Sequence, residues 1–336
     1  MRARLTLAVL ALTTLGGILV AQTPARQRLN PVIDLLEQGK PVFGLYAPSN
    51  RRGRGGTASA TPAPDTPQKA PLELAKDALA YKSSDYIFDG SMEGGLDRGF
   101  PNFAEFVKGM QEAGPLTKAP FLHFTHPLVV KTPMIAPDPA KAIENISRQL
   151  NVGVSGIVFV GVESADEVRQ GLAAMRFKSK GGTRPEDVGS APAYWGMTDA
   201  KYREKADLWP LNPDGELMNW TIVESKQGLA HVREIAAVKG ISVLFPGAGT
   251  LRGVFSTTNA DGQRVLDEAG WEGAIQQVLA ACKEFKVPCG YPATANDIEM
   301  RMKQGFSVFV INWGDAGFKT VDIGRRVGGR ESSNQF

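Results

Sequence analysis

Leu217-Met218-Asn219-Trp220-Thr221-Ile222-Val223-Glu224-Ser225 and, one helix later, Ile241-Ser242-Val243-Leu244-Phe245-Pro246-Gly247-Ala248-Gly249 decide the fold of this chain. Met218 to Val223 is a short apolar run with β-branched and aromatic residues, the pattern of a buried strand. Ser225 is placed to cap a helix in which Leu229, Val232, Ile235 and Ala236 recur at helical spacing. Gly240 stops that helix, and 241–245 returns as a second strand into a Gly-Ala-Gly turn. Strand, helix, strand is the repeating unit of a parallel sheet. Glu224 then falls at the carboxyl end of its strand, beside a turn with free backbone N–H groups. That arrangement suits a metal or an anionic substrate.

The same unit recurs along the chain. Further strands are predicted at 42–46, 86–88, 121–124, 156–160, 288–291 and 307–311, which brings the total to eight. Helices fall between most of them. Ala140, Ile143, Ile146 and Leu150 share one face, Ser164 with Glu167 forms a capping box, and 271–285 is the most regular helix. Asp315 is placed to cap the last helix. Eight alternating units predict an α/β fold of the (β/α)8 TIM-barrel type, one domain over 22–336. An open doubly wound sheet would want a glycine fingerprint directly after the first strand, and Arg51-Arg52-Gly53-Arg54-Gly55-Gly56 is not one. Residues 49–71, rich in Arg, Gly, Thr, Ala and Pro, are expected to form a long loop without a core. The excursion 178–213 holds Tyr194, Trp195 and Trp209 and is expected to pack.

Charge and composition narrow the function. With 336 residues, 43% of them hydrophobic, the chain can bury a sizeable core, and 38 basic against 35 acidic residues leave only +3. No basic stripe marks a nucleic-acid surface. Arg2 and Arg4 precede an apolar run over 5–20 and Ala21 follows, the layout of a cleavable signal peptide at 1–21. The run is shorter than the ~20 residues a membrane span needs and contains Thr13, Thr14, Gly16 and Gly17. A periplasmic or secreted protein is expected, free of the membrane after cleavage. In an exported protein two cysteines invite a disulfide, but Cys282 shares an apolar face with Trp271, Ile275, Val278 and Leu279 while Cys289 starts a strand, so two buried, unpaired thiols are expected over a bonded pair.

Several stretches resemble the HpcH/HpaI aldolase and citrate lyase family. They are Asp85-Tyr86-Ile87-Phe88-Asp89-Gly90, Phe159-Val160-Gly161-Val162-Glu163-Ser164, Met175-Arg176-Phe177, Ile222-Val223-Glu224-Ser225, Phe245-Pro246-Gly247-Ala248-Gly249-Thr250-Leu251 and Val287-Pro288-Cys289-Gly290. Their order and spacing carry the resemblance, which spans about Pro31 to Gly324. It implies a barrel that makes or breaks a carbon–carbon bond beside a 2-oxo acid. It also implies a divalent metal (magnesium or manganese, with zinc as a further candidate) that holds the substrate and stabilises its enolate. A homo-oligomer and a small carboxylate substrate are implied as partners.

Position by position, the family's metal-binding glutamate matches Glu224, and its second metal ligand, an aspartate, is replaced by Thr250. The catalytic histidine that follows Asp-Gly falls at Met92, or at Gly94 if the motif is aligned on Glu93. The arginine at the third strand falls at His123, and the glutamine before the metal ligand falls at Ile222. Neither methionine nor glycine removes a proton. Replacement candidates are therefore His123, Glu93 and Asp89 as catalytic groups, with Glu224 as metal ligand and Gly247, Ala248, Gly249 and Thr250 cradling a carboxylate. His123 and His126 are expected to straddle the carboxyl end of the third strand, where His123, Glu224 and Glu93 or Asp89 would form a mixed nitrogen–oxygen site. Glu163 is expected to support its turn, and His231 to lie on the surface. Two functions stand against each other: an aldolase-type lyase with altered catalytic residues, and a non-catalytic barrel that binds a carboxylate ligand or a protein partner.

Overall fold

The computed structural model describes residues 26–50 and 68–332. The segment expected as a signal, 1–21, and most of the loop expected at 49–71 lie outside them. Eight parallel strands carry the molecule: β1 (Val42–Tyr46), β2 (Tyr86–Asp89), β3 (Leu128–Lys131), β4 (Gly156–Phe159), β5 (Leu217–Val223), β6 (Val243–Pro246), β7 (Gly290–Pro292) and β8 (Val308–Ile311). They pair in the order β7-β8-β1-β2-β3-β4-β5-β6 and curl, with helices packed on the outside. The two ends of that order meet at one parallel bridge between Leu244 and Cys289, where the Leu244 N–H donates to Pro288 O at 3.0 Å.

Inside the curl the period-two alternation points Tyr86, Phe88, Val129, Val158, Met218, Trp220, Ile222, Phe245, Val308 and Val310 at one another. Large rings need small neighbours. A Cβ on Gly44 would lie 2.2 Å from the Tyr86 ring, so only glycine admits that ring across β1. The helix Pro31–Glu37 covers the amino end: Asn30 caps it by accepting the Val32 N–H at 3.1 Å, and Val32 and Ile33 fill the space below the interior cluster. Arg28 ties this lid to the barrel through ion pairs with Glu37 and Glu216.

Most predicted helices form where the pattern placed them. Ser225 caps Lys226–Ala230 as expected, but the helix breaks at His231 and resumes as Val232–Ala236. Ser164 accepts the Glu167 N–H at 3.2 Å, and Glu167 reaches back to the Glu163 N–H at 3.0 Å. The residue before the last helix is Gly314, so Asp315 opens its first turn rather than capping it. The 178–213 excursion does pack: Trp195 and Tyr194 are buried, and Leu208–Trp209 adds a short parallel strand beside the start of β5.

Two expectations are overturned. The third barrel strand is Leu128–Lys131; residues 121–124 supply only His123–Phe124, a two-residue antiparallel pairing with Leu116–Thr117. The thiols are not free, because Cys282 and Cys289 form a disulfide with Cα atoms 5.6 Å apart. The helix Glu268–Phe285 ends on Lys286 in the left-handed conformation, which turns the chain straight back along its own last turn. The bond therefore joins the outer helix to the residue that bridges β6. Cys282→Ser is expected to cost about 2–3 kcal/mol of unfolding free energy. Urea denaturation reads this directly, and an unchanged midpoint would show that the bond contributes nothing.

Candidate functional site

The carboxyl ends of β1, β2 and β3, with the residue after β5, bring four polar side chains to one rim: Tyr46, Asp89, Lys131 and Glu224. Glu93, in the turn after β2, joins them. Its carboxylate accepts a hydrogen bond from Lys131 Nζ at 2.9 Å, and the Lys131 side chain is only 16% exposed. Burial works against the Lys131 charge, but Glu93, Tyr46 and Glu224 outweigh it and hold the ammonium above its usual pKa. Burial pushes the Tyr46 phenol up as well; Lys131 opposes this, while Glu93 and Asp89 add to it. One largely buried cation thus sits among carboxylates, with the Glu93 side chain 39% exposed at its outer edge.

Glu224 is held from two sides. Its Oε1 accepts the Gly161 N–H at 2.9 Å, and Gly247 lies so close that a Cβ there would meet Glu224 Oε2 at 2.5 Å. Glycine at 247 is therefore a requirement of the carboxylate's position. The Gly247 N–H is already donated to Val223 O, Ala248 is buried, and Gly249 and Thr250 lie exposed at the start of the short helix Ala248–Val254. Asp89 is turned to local work, its Oδ1 accepting both the N–H and the hydroxyl of Ser91 at 2.7 and 2.6 Å. Glu163 takes the Ser225 hydroxyl at 2.6 Å and so braces two turns against each other.

Other sequence candidates fall elsewhere. His123 does not reach this rim. Its neighbour Phe124 donates to Leu29 O, and Asn30 is tied to Glu216 just before β5, which places that corner at the amino end of the sheet. Its Nδ1 donates to Phe121 O at 2.9 Å. The expected grouping of His123 with Glu224 and Glu93 is thus corrected, because the third strand is Leu128–Lys131 and begins seven residues later than its pattern suggested. His126 lies before β3, buried, with Nε2 donating to Tyr81 O. His231 is half-buried and donates to Glu163 O at 3.0 Å, which replaces the expected surface position. Met92, at the vacant histidine position, points into the core against Gln149. Ile222 is buried with the interior cluster.

Lys131 is the residue that the sequence reading missed. Once the third strand is Leu128–Lys131, the cation that the resemblance places there is this lysine. As for the implied metal, among the described residues no group of three or more His, Cys, Asp or Glu side chains is arranged to hold one. Glu224 is a single carboxylate with a neighbouring ammonium, and Thr250 carries no charge. Divalent oxygen-seeking ions want several oxygen ligands. The donor set does not fit.

A curled parallel sheet with its charged groups gathered at the carboxyl ends of the strands is the arrangement of an α/β enzyme acting on a small polar molecule. Residues 117–313 match the HpcH/HpaI aldolase/citrate lyase family. The chain is 31% identical over 265 residues, covering 76% of each sequence, to a hydroxypyruvate/pyruvate aldolase of Delftia acidovorans. It is 29% identical over 177 residues to another hydroxypyruvate/pyruvate aldolase, from Sagittula stellata, covering 53% of this chain and 64% of that one. A crystal structure of a family member from Burkholderia cenocepacia superposes with a TM-score of 0.61 at 20% identity, covering 84% of this chain and 92% of that chain, and so shares the fold. The chain belongs to the HpcH/HpaI aldolase/citrate lyase family, whose members are lyases.

Two outcomes follow from the geometry. Gly247→Ala is expected to push Glu224 off the Gly161 N–H, so amide hydrogen exchange at Gly161 should accelerate; unchanged exchange would sink that account. Burial lowers the pKa of His126 in the folded protein, against smaller opposing effects from Tyr81 O and Asp85. The unfolded chain takes up that proton near pH ~6.5, so stability is full above this value and falls as the pH drops below it. The fall in urea midpoint between about pH 7.5 and about pH 5.5 should shrink in His126→Leu; an identical fall in both proteins would contradict the assignment.

Proposed function

We propose that this protein is an aldolase-type carbon–carbon lyase that acts on a small 2-oxo or hydroxy acid through an enolate formed at the Glu93–Lys131 rim. The observation that carries the reading is the 2.9 Å pairing of a carboxylate with a shielded ammonium at the carboxyl ends of the strands. Glu93 is the base, taking a proton from the carbon next to the substrate carbonyl. Lys131 donates to the oxygen on which negative charge then develops. Glu224 keeps Lys131 charged, and the 247–250 turn borders the space in which a substrate carboxylate would lie. The relatives named for hydroxypyruvate and pyruvate make those two acids the first substrates to try. No step in this reading passes through a metal.

The sheet order and the Leu244–Cys289 bridge support reading the curl as a closed (β/α)8 barrel. Export through a signal at 1–21 fits the Cys282–Cys289 bond, since such bonds persist in oxidising compartments. A homo-oligomer is the assembly the family suggests, to be read by light scattering on the mature chain.

Buried Met92 favours the competing reading of a barrel that binds without catalysis. The two are separated by offering pyruvate or hydroxypyruvate with a simple aldehyde and following product by NMR. A new carbon–carbon bond, with the rate falling about 100-fold or more in Glu93→Gln, is the expected result. Saturable binding of either acid with no product would favour the non-catalytic barrel.

A further inference from the structure

We infer that the Lys131 ammonium, at the position of the family's third-strand arginine, also does the work of the divalent cation, so that enolisation at this rim proceeds without a metal. The inference rests on the lyase reading above and goes beyond it. The geometry supports it in two ways. Among the described residues no three His, Cys, Asp or Glu side chains are grouped to hold a metal, Glu224 Oε1 already accepts the Gly161 N–H, and the next turn offers Thr250 where a second carboxylate would be needed. A cation is already built in: Lys131 closes β3, its stem runs beside Gly90 and Tyr46, and its Nζ is fixed by Glu93.

The chemistry balances without another reactant. Glu93 removes a proton from the methyl carbon of pyruvate, and the C–H electron pair becomes the new C=C bond. The carbonyl π pair moves onto oxygen, which receives a hydrogen bond from Lys131 Nζ. As Glu93 becomes neutral, its hold on Lys131 weakens at the moment the enolate oxygen needs that charge. The number of charges at the rim rises on the substrate by as much as it falls on Glu93. In the aldol direction the enolate carbon attacks an aldehyde carbonyl carbon, and the Glu93 proton passes to the alkoxide.

The test is proton–deuterium exchange of the pyruvate methyl group by NMR. The mature chain is stripped with EDTA, its metal content is measured, and exchange is compared with and without added manganese. Equal rates with and without the metal are expected. Lys131→Met should lose about 100-fold or more, while Lys131→Arg, which restores a cation, should recover part of the rate. Circular dichroism on each variant separates loss of the charge from loss of the fold. Should Lys131→Met fail to fold, the wild-type comparison and Lys131→Arg still decide the matter. Exchange that appears only with manganese would overturn the inference and leave the lyase reading intact. Absence of exchange under every condition would overturn both.

Discussion

Trp220 sets the limits within which the rest of this molecule works. It is wholly buried inside the curled sheet, edge-on to Tyr86 at 5.1 Å between ring centroids and stacked on Phe245 at 6.4 Å. Phe88 closes a third side at 6.1 Å. A sheet interior filled in this way has no channel and no room for a charged group at depth. Of the polar atoms on these rings, the Tyr86 hydroxyl donates to Phe309 O at 2.5 Å, whereas the Trp220 indole N–H is buried without a partner. Chemistry is therefore confined to the rim above this layer, where Tyr46 leans on Phe88 with its ring and faces Lys131 and Glu93 with its phenol.

The fold was legible because alternation and capping are local. The β5–helix–β6 unit, the Ser225 and Ser164 caps and seven of the eight strands could be read from apolar spacing and turn residues alone. The eighth could not, for a physical reason. Phe121-Leu122-His123-Phe124 and Leu128-Val129-Val130-Lys131 are both short runs of strand-forming residues within a few positions of each other. Intrinsic preference ranks the aromatic run higher. What decides is pairing: Leu128, Val129 and Val130 have Ile87, Phe88 and Asp89 to lie against, whereas His123–Phe124 finds only Leu116–Thr117. That partner choice is a property of the whole sheet. The disulfide was hidden for a similar reason, since a separation of 7 residues says nothing of distance until the left-handed Lys286 folds the chain back.

The site suffered from the same shift. Glu224 was legible because its strand and the turn after β6 are unambiguous. Misplacing one strand moved the third-strand cation to His123, which the structure puts at the other end of the sheet, and left Lys131 without a role. Burial completes the account. Lys131 is a functional candidate because its ammonium is shielded and paired, and exposure is not written in sequence.

The vacant histidine position takes a different meaning once Met92 is seen in place. Met92 is fully buried against Gln149, so the side chain after Ser91 has become part of the core rather than part of the rim. The next residue turns outward instead, and it is Glu93 that meets Lys131. The carboxylate at this turn thus stands one residue past the position occupied by packing, with a cation within hydrogen-bond reach. The role proposed for this rim depends on that pairing, in which Lys131 Nζ stands 2.9 Å from the Glu93 carboxylate.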